Sequence, residues 1–266
     1  MVCSPNVRPP AIRIMEDSKK TILVVGATGA TGRRLLTALL GRGHSVRAVV
    51  RDPQRVPEAL RSHHGLSLQV SGVSEWRPWD FDTAVRGCAA VVCCLGHSSS
   101  FTGIFGEPRR LVSDATRGLC AAVMRSQARH PVKFVLMGNA GVRAPEDVET
   151  YSAGHRAAIA LLRTLLPPHA DNEEAAAFLR GLDGRLIQPL EWAVVRPDTL
   201  KESDTLHPYT VHASPTRSAI LDPGQTHRIQ VAHFMADLID DDALWAQWRG
   251  RMPVLYDVGA KPAKEG

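Results

Sequence analysis

The residues best suited to chemistry stand near the start of the chain. In Val24-Val-Gly-Ala-Thr-Gly-Ala-Thr-Gly-Arg33 the glycines Gly26, Gly29 and Gly32 recur every third residue, between an apolar run and a helical one. That context gives a glycine motif its physical meaning. Gly26 permits a tight turn, Gly29 lets the backbone approach a pyrophosphate, and Gly32 lets the helix pack closely on the strand. The N–H groups at the start of the helix have no partner within it and face a bound phosphate. Thr28, Ala30 and Thr31 complete the cradle, the threonines adding hydroxyls. The alternative is a glycine-rich turn that holds no ligand.

Arg51 is the second candidate. It follows the run Val49-Val50, roughly 20 residues after the glycines, where an acid would bind a ribose 2′-hydroxyl. A guanidinium there pairs with a 2′-phosphate instead, so the expected cofactor is NADP(H). Asp52 is the competing residue, because a shift of one position would favour NAD(H). Arg47 is a further cation, two residues back on the same strand.

Ligands in open parallel sheets bind beyond the carboxyl ends of the strands. Gly96 and His97 follow the fourth strand and Arg196 and Pro197 end the sixth, so all four are expected to border the cofactor. Asp198 and Thr199 then flank its nicotinamide end. His169, fixed behind Pro167-Pro168, has the near-neutral titration that suits proton transfer; the alternative is a capping or packing histidine. His207, Tyr209 and His212 are candidate pocket residues or parts of a solvated loop. The eleven histidines show no metal-ligand spacing, and no metal is expected.

These positions require an alternation of strands and helices. Short apolar runs at Thr21–Val25, Ser45–Val50, Leu66–Val70, Ala89–Leu95, Val132–Met137 and Glu191–Arg196 read as strands, with a last one at Pro253–Val258. Helical patterns fall at Thr31–Leu40, Asp80–Arg86, Leu111–Ala128, Thr150–Leu166, Asp171–Leu182 and Val231–Leu238, the last extending toward Trp248. Asp171 and Glu174 have the spacing of a helix cap and its reciprocal partner. Strands apolar on both faces and alternating with helices mean an α/β fold, a Rossmann-like doubly wound parallel sheet. Residues 1–19 read as a disordered leader and 20–200 as the NAD(P)-binding domain. Residues 201–266 read as a small irregular segment covering the substrate, with the final helix and strand of the same domain.

Composition narrows the function classes. The chain has 266 residues and a net charge of +5. No lysine/arginine run exceeds two residues and aromatics are 5%, which speaks against a nucleic-acid binder. No apolar run approaches the roughly 18–20 residues of a membrane span. Five scattered cysteines fit free thiols in a reducing cytosol, so a cytoplasmic location is expected. Only Lys19, Lys20, Lys133, Lys201, Lys261 and Lys264 are lysines. Between Lys20 and Lys201, chemistry that needs a lysine has Lys133 alone.

GATGATG, AVVRDP, CCLG, VLMGNAGV and EWAVVRPDTL, in that order, resemble the atypical short-chain dehydrogenase/reductases. Within them the pattern is similar to the NmrA-like NAD(P)H-binding group, over about residues 20–258. LLPPHADNE, VRPDTL and THRIQVAHFMADL also resemble the averufin-oxidase-like proteins of fungal polyketide clusters. The resemblance implies a Rossmann fold and an oxidoreductase acting on a small aromatic, quinone or polyketide-like substrate in secondary metabolism. It places Asn139 where the superfamily carries its catalytic serine. The superfamily's Tyr-x-x-x-Lys is here Tyr151-Ser-Ala-Gly-His155, with histidine for lysine. Asn172 stands where related proteins carry another lysine.

Tyr151 and His155 share a helix face, so the tyrosine can donate a proton and the histidine shuttle it; the alternative is two surface residues. Asn139 can hydrogen-bond a substrate carbonyl or the nicotinamide. The group also contains regulators that bind the dinucleotide without turning it over. Three readings follow: a reductase, a cofactor sensor, and a non-redox isomerase or epoxide-opening enzyme.

Overall fold

Alternating burial along each strand sets the architecture. In the computed structural model, which describes residues 6–8, 19–96, 108–144, 167–182, 189–218 and 222–259, Ile22 and Val24 face one core while Leu23 and Val25 face another. Both faces of the sheet therefore need a helical cover, as expected of apolar strands in parallel order.

The strands are β1 (Asn6–Arg8), β2 (Thr21–Val25), β3 (Ser45–Val50), β4 (Leu66–Val70), β5 (Ala90–Cys93), β6 (Val132–Met137), β7 (Leu190–Pro197), β8 (Thr199–Lys201), β9 (Tyr209–His212), β10 (Gln225–His227) and β11 (Val254–Asp257). The described helices are α1 (Ala30–Gly41), α2 (Glu58–Arg61), α3 (Pro78–Val85), α4 (Leu111–Arg125), α5 (Pro167–Arg180), α6 (Arg228–Asp240) and α7 (Asp242–Trp248). The main sheet runs β1-β9-β11-β7-β6-β5-β2-β3-β4. From β4 to β11 every neighbouring pair is parallel. Residues of α1, α6 and α7 pack in one core; α3, α4 and α5 contribute to the other. The expected doubly wound parallel sheet is present.

Several local readings change. The segment after residue 200 is not wholly irregular. β9 pairs antiparallel with β11, and β8 pairs with β10 in a small separate sheet. Within the supposed leader, Asn6–Arg8 forms β1, antiparallel to β9 at the sheet's edge. Prolines at 5, 9 and 10 bracket that strand without interrupting its three residues, and an edge position tolerates such neighbours. The expected long last helix is two, because Asp241 starts α7 by accepting from the Leu244 N–H (2.9 Å).

Asp171 does not open its own helix. α5 already begins at Pro167, a residue suited to a first turn. The buried Asp171 carboxylate instead accepts from the backbone N–H groups of Val112 (2.8 Å) and Ser113 (2.9 Å), capping α4 from outside. Glu174 holds Arg110 and Arg117 rather than a cap. Asp171→Ala is expected to cost about 1–2 kcal/mol, the upper range for losing a cap. A lower urea midpoint checks it.

Candidate functional site

The carboxyl ends of β2, β3, β5, β6 and β7 all lie on one edge, because these strands are parallel. At β2 that edge is the glycine turn. Gly26 has φ +77°, and a Cβ there would stand 2.5 Å from the Cys94 carbonyl carbon and oxygen. The turn therefore rests directly on the chain leaving β5. Gly29 is the N-cap of α1, extended, with no side-chain cap, and its N–H donates to the Gly26 carbonyl (3.1 Å). A Cβ on Gly32 would drive into that same carbonyl oxygen.

The first helical bond runs from the Arg33 N–H to the Gly29 carbonyl (2.9 Å), so the N–H groups of Ala30, Thr31 and Gly32 have no acceptor inside the helix. The first turn holds no acidic residue. Thr28 and Ala30 are half-buried at the rim and Thr31 is buried. A cradle that rejects a Cβ, lined with unpartnered N–H groups, fits a pyrophosphate.

Arg51 is exposed immediately beyond β3. Its competitor Asp52 caps the following turn, accepting from the Gln54 N–H (2.9 Å). Arg47 does not join Arg51. Its guanidinium donates to the carbonyls of Thr83 (3.2 Å), Ala84 and Arg86 (3.4 Å) at the end of α3.

Gly96 is exposed past β5, and a Cβ on it would meet nothing within 4 Å. His97 lies outside the described residues, as do Tyr151 and His155. Beyond β6, the half-buried Asn139 accepts through Oδ1 from the Gly141 N–H (3.0 Å). A Cβ on Gly141 would lie 2.8 Å from His169 Cε1 and 3.1 Å from Asn139 Oδ1. The structure thus brings Asn139 and His169 together across Gly141, from the loop after β6 and the first turn of α5, with about thirty residues between them in sequence. Gly141 was not singled out from sequence; the glycine pair in Gly138-Asn-Ala-Gly141 was the available signal. Nε2 of His169 is 3.7 Å from a Glu173 carboxylate oxygen. Asn172, on the same helix, is half-buried.

Arg196 ends up elsewhere than expected. Its side chain is fully buried and donates to the carbonyls of Met252 (2.6 Å), Val142 (2.8 Å) and Ala213 (3.2 Å). It ties three loops together, so its part at the site is to position the Asn139–Val142 loop. Pro197 is buried and accepts from the Ala140 N–H (2.9 Å). The Asp198 carboxylate accepts from the N–H groups of Thr199 (2.7 Å) and Gly224 (3.0 Å). Burial pushes its carboxyl above the usual carboxylate range, against the pull of those donors and of Arg217. Tyr256 nearby is pushed up to about 12 by burial, with Asp198 adding to the effect. Tyr209 is a core residue, edge-on to Phe234. His212 packs on Tyr256, where burial lowers its pKa, and the exposed His207 lies beside His227.

Lys133 stands at the opposite edge. Its ammonium meets the carbonyls of Leu238 (3.2 Å) and Ile239 (3.0 Å) and the Asp242 carboxylate (2.7 Å). Lys20 joins it on the Ile239 carbonyl (2.7 Å). Together they neutralise the end of α6, which is why neither can serve the glycine edge.

The comparisons with known proteins agree with this geometry. The chain is 58% identical to a 3-diazoavenalumate denitrifying reductase of Streptomyces sp over 138 residues, 49% of this chain and 43% of that protein. It is 25% identical to Protein TIC 62, chloroplastic, of Arabidopsis thaliana over 228 residues, 81% of this chain and 33% of that protein. The chain thus spans less than half the length of these curated relatives. A short-chain dehydrogenase/reductase of Veillonella parvula, solved in complex with NADP, shares the fold. Its TM-score is 0.65 at 16% identity, covering 91% of this chain and 97% of that one. Residues 26–242 match the family model described as NAD(P)H-binding. The chain belongs to this NAD(P)H-binding family and has a Rossmann-like fold.

Proposed function

We propose that the protein is an NADP(H)-dependent reductase acting on a small aromatic, quinone or polyketide-like substrate of secondary metabolism. The observation that carries this is the glycine cradle with Arg51 beyond the next strand and Asp52 turned away into a cap. Gly26, Gly29 and Gly32 hold the pyrophosphate against the start of α1. Arg51 meets the 2′-phosphate. The nicotinamide supplies the hydride. In this reading Asn139 donates a hydrogen bond to the substrate oxygen and His169 supplies its proton, with Tyr151 and His155 as the second proton source.

The test is cofactor turnover. NADPH oxidation is expected with at least one of a panel of quinones, aromatic ketones and flavins. Binding without turnover on any of them favours a dinucleotide sensor or a non-redox enzyme. Arg51→Ala is expected to weaken NADPH at least tenfold and leave NADH nearly unchanged, by fluorescence titration. Equal losses for both cofactors overturn the NADP assignment.

A second reading is favoured by the Streptomyces relative, whose name joins a diazo substrate to loss of nitrogen. Replacing an aryl diazonium group by hydride releases dinitrogen and forms a C–H bond. The acceptor's positive charge is consumed by the hydride, so no proton is needed. That chemistry suits a chain with His155 in place of the lysine of Tyr-x-x-x-Lys. An arene carrying one deuterium from 4-deuterated NADPH supports it. An aryl diazonium salt left unreduced by a protein that does reduce a quinone excludes it.

A further inference from the structure

The start of α1 is not lined by its own turn alone. Arg228, the first residue of α6, places a terminal guanidinium nitrogen 3.4 Å from Thr31 Oγ1, although the two residues are 197 positions apart. Thr31 is the second residue of α1, and its N–H is one of the three without a helical acceptor. The Arg228 Nε is held by Glu202 (2.8 Å), whose other oxygen pairs with Arg34 (2.9 Å). Arg34 in turn donates to the Ala30 carbonyl (3.0 Å) and to Asp204 (3.0 Å).

The two helices lie side by side in the same direction. Arg228 meets α1 at its start, and Arg42 at the far end pairs with Asp237 (2.7 Å) and Asp240 (2.9 Å) of α6. The Arg228 side chain thus carries a positive charge to the start of α1, whose first turn holds no acidic residue. A guanidinium with one edge fixed by a carboxylate keeps its other edge pre-aimed, which suits a doubly charged group.

We propose that Arg228 is a cofactor-binding residue, donating its outer edge to the pyrophosphate held by the glycine turn, with Glu202 fixing its direction. This rests on the dinucleotide reading above. It assigns the pyrophosphate a cation from the far side of the fold, distinct from Arg51 and the 2′-phosphate.

The test separates the two cations by ligand. Arg228→Gln is expected to weaken NADPH, NADH and ADP-ribose by the same factor, about tenfold, while 2′-AMP, which has no pyrophosphate, binds as before. Arg228→Lys keeps a charge for Glu202 but loses the fork. It is expected to melt like the wild type and to remain several-fold weaker for ADP-ribose. Unchanged ADP-ribose affinity in both variants, or a loss confined to NADPH, overturns the proposal. A wild-type protein that binds neither dinucleotide overturns the reading beneath it instead.

Discussion

Gly32→Ala is expected to abolish measurable NADPH binding, a loss of at least a hundredfold, and to destabilise the protein. The new methyl would collide with the Gly26 carbonyl oxygen and lie 3.0 Å from Ala27 Cα. Both obstacles are backbone, so no side chain can swing aside. Relief requires the first turn of α1 to move away from β2, carrying with it the N–H groups of Ala30, Thr31 and Gly32. Overpacking of this kind costs about 1–3 kcal/mol. Gly29→Ala is the control. Its Cβ would meet only the Gly26 carbonyl oxygen, at 3.2 Å, which a small adjustment relieves. It is expected to melt within about 1 kcal/mol of the wild type, yet to bind poorly because the methyl fills the pyrophosphate's path. Titration and urea unfolding of the two variants together check the pair. Wild-type affinity in Gly32→Ala would remove the glycine turn from the site.

Arg196→Met is expected to cost about 2–5 kcal/mol, because buried carbonyls lose the charged donor that they share. Methionine fills similar space but donates nothing. The carbonyls of Val142 and Met252, on buried residues, then lose their donor, at about 1–3 kcal/mol for each group left unpaired. Arg196→Lys recovers little, since one ammonium cannot reach carbonyls that a guanidinium meets in three directions. A fall in the urea midpoint at unchanged slope checks the stability. Activity is expected to fall further than stability explains, because the Val142 carbonyl anchors the loop that carries Asn139. A variant with wild-type stability would refute the positioning role.

Most of the sheet was legible because its strands are short apolar runs whose ends are marked by glycine, charge or proline. β6 matches its sequence reading residue for residue, and β7 exceeds it by one residue at each end. The glycine turn was legible because its three demands are local. What escaped depends on partners distant in sequence. Asp171 looked like the cap of its own helix, but the N–H groups it accepts from lie 58 and 59 residues away. β1 and β9 have three and four residues and gain their order only by pairing beyond β11. Arg196 was assigned to the cofactor from its place at a strand end. Position on a strand does not reveal that three carbonyls converge on its side chain. Arg228 gave no local signal, because its site partner belongs to the first helix. Asn139 and His169 were each chosen separately, and only folding places Gly141 between them.

The buried cysteines have a consequence for handling reactive molecules. Cys88, Cys93, Cys94 and Cys120 are free and buried, and Gly26 leans on the backbone of Cys94. Burial pushes the Cys93 thiol up to about 12, and the others also rise above their ordinary value. Quinones and diazonium ions are electrophiles that attack thiolates, and the thiolate is the nucleophilic form. A protein that turned over such compounds, as proposed, would be arylated at a sulfur such as Cys94, beneath the glycine turn, if that sulfur ionised. Burial keeps these sulfurs protonated and enclosed, which would spare the protein from the electrophilic acceptors of the proposed reaction.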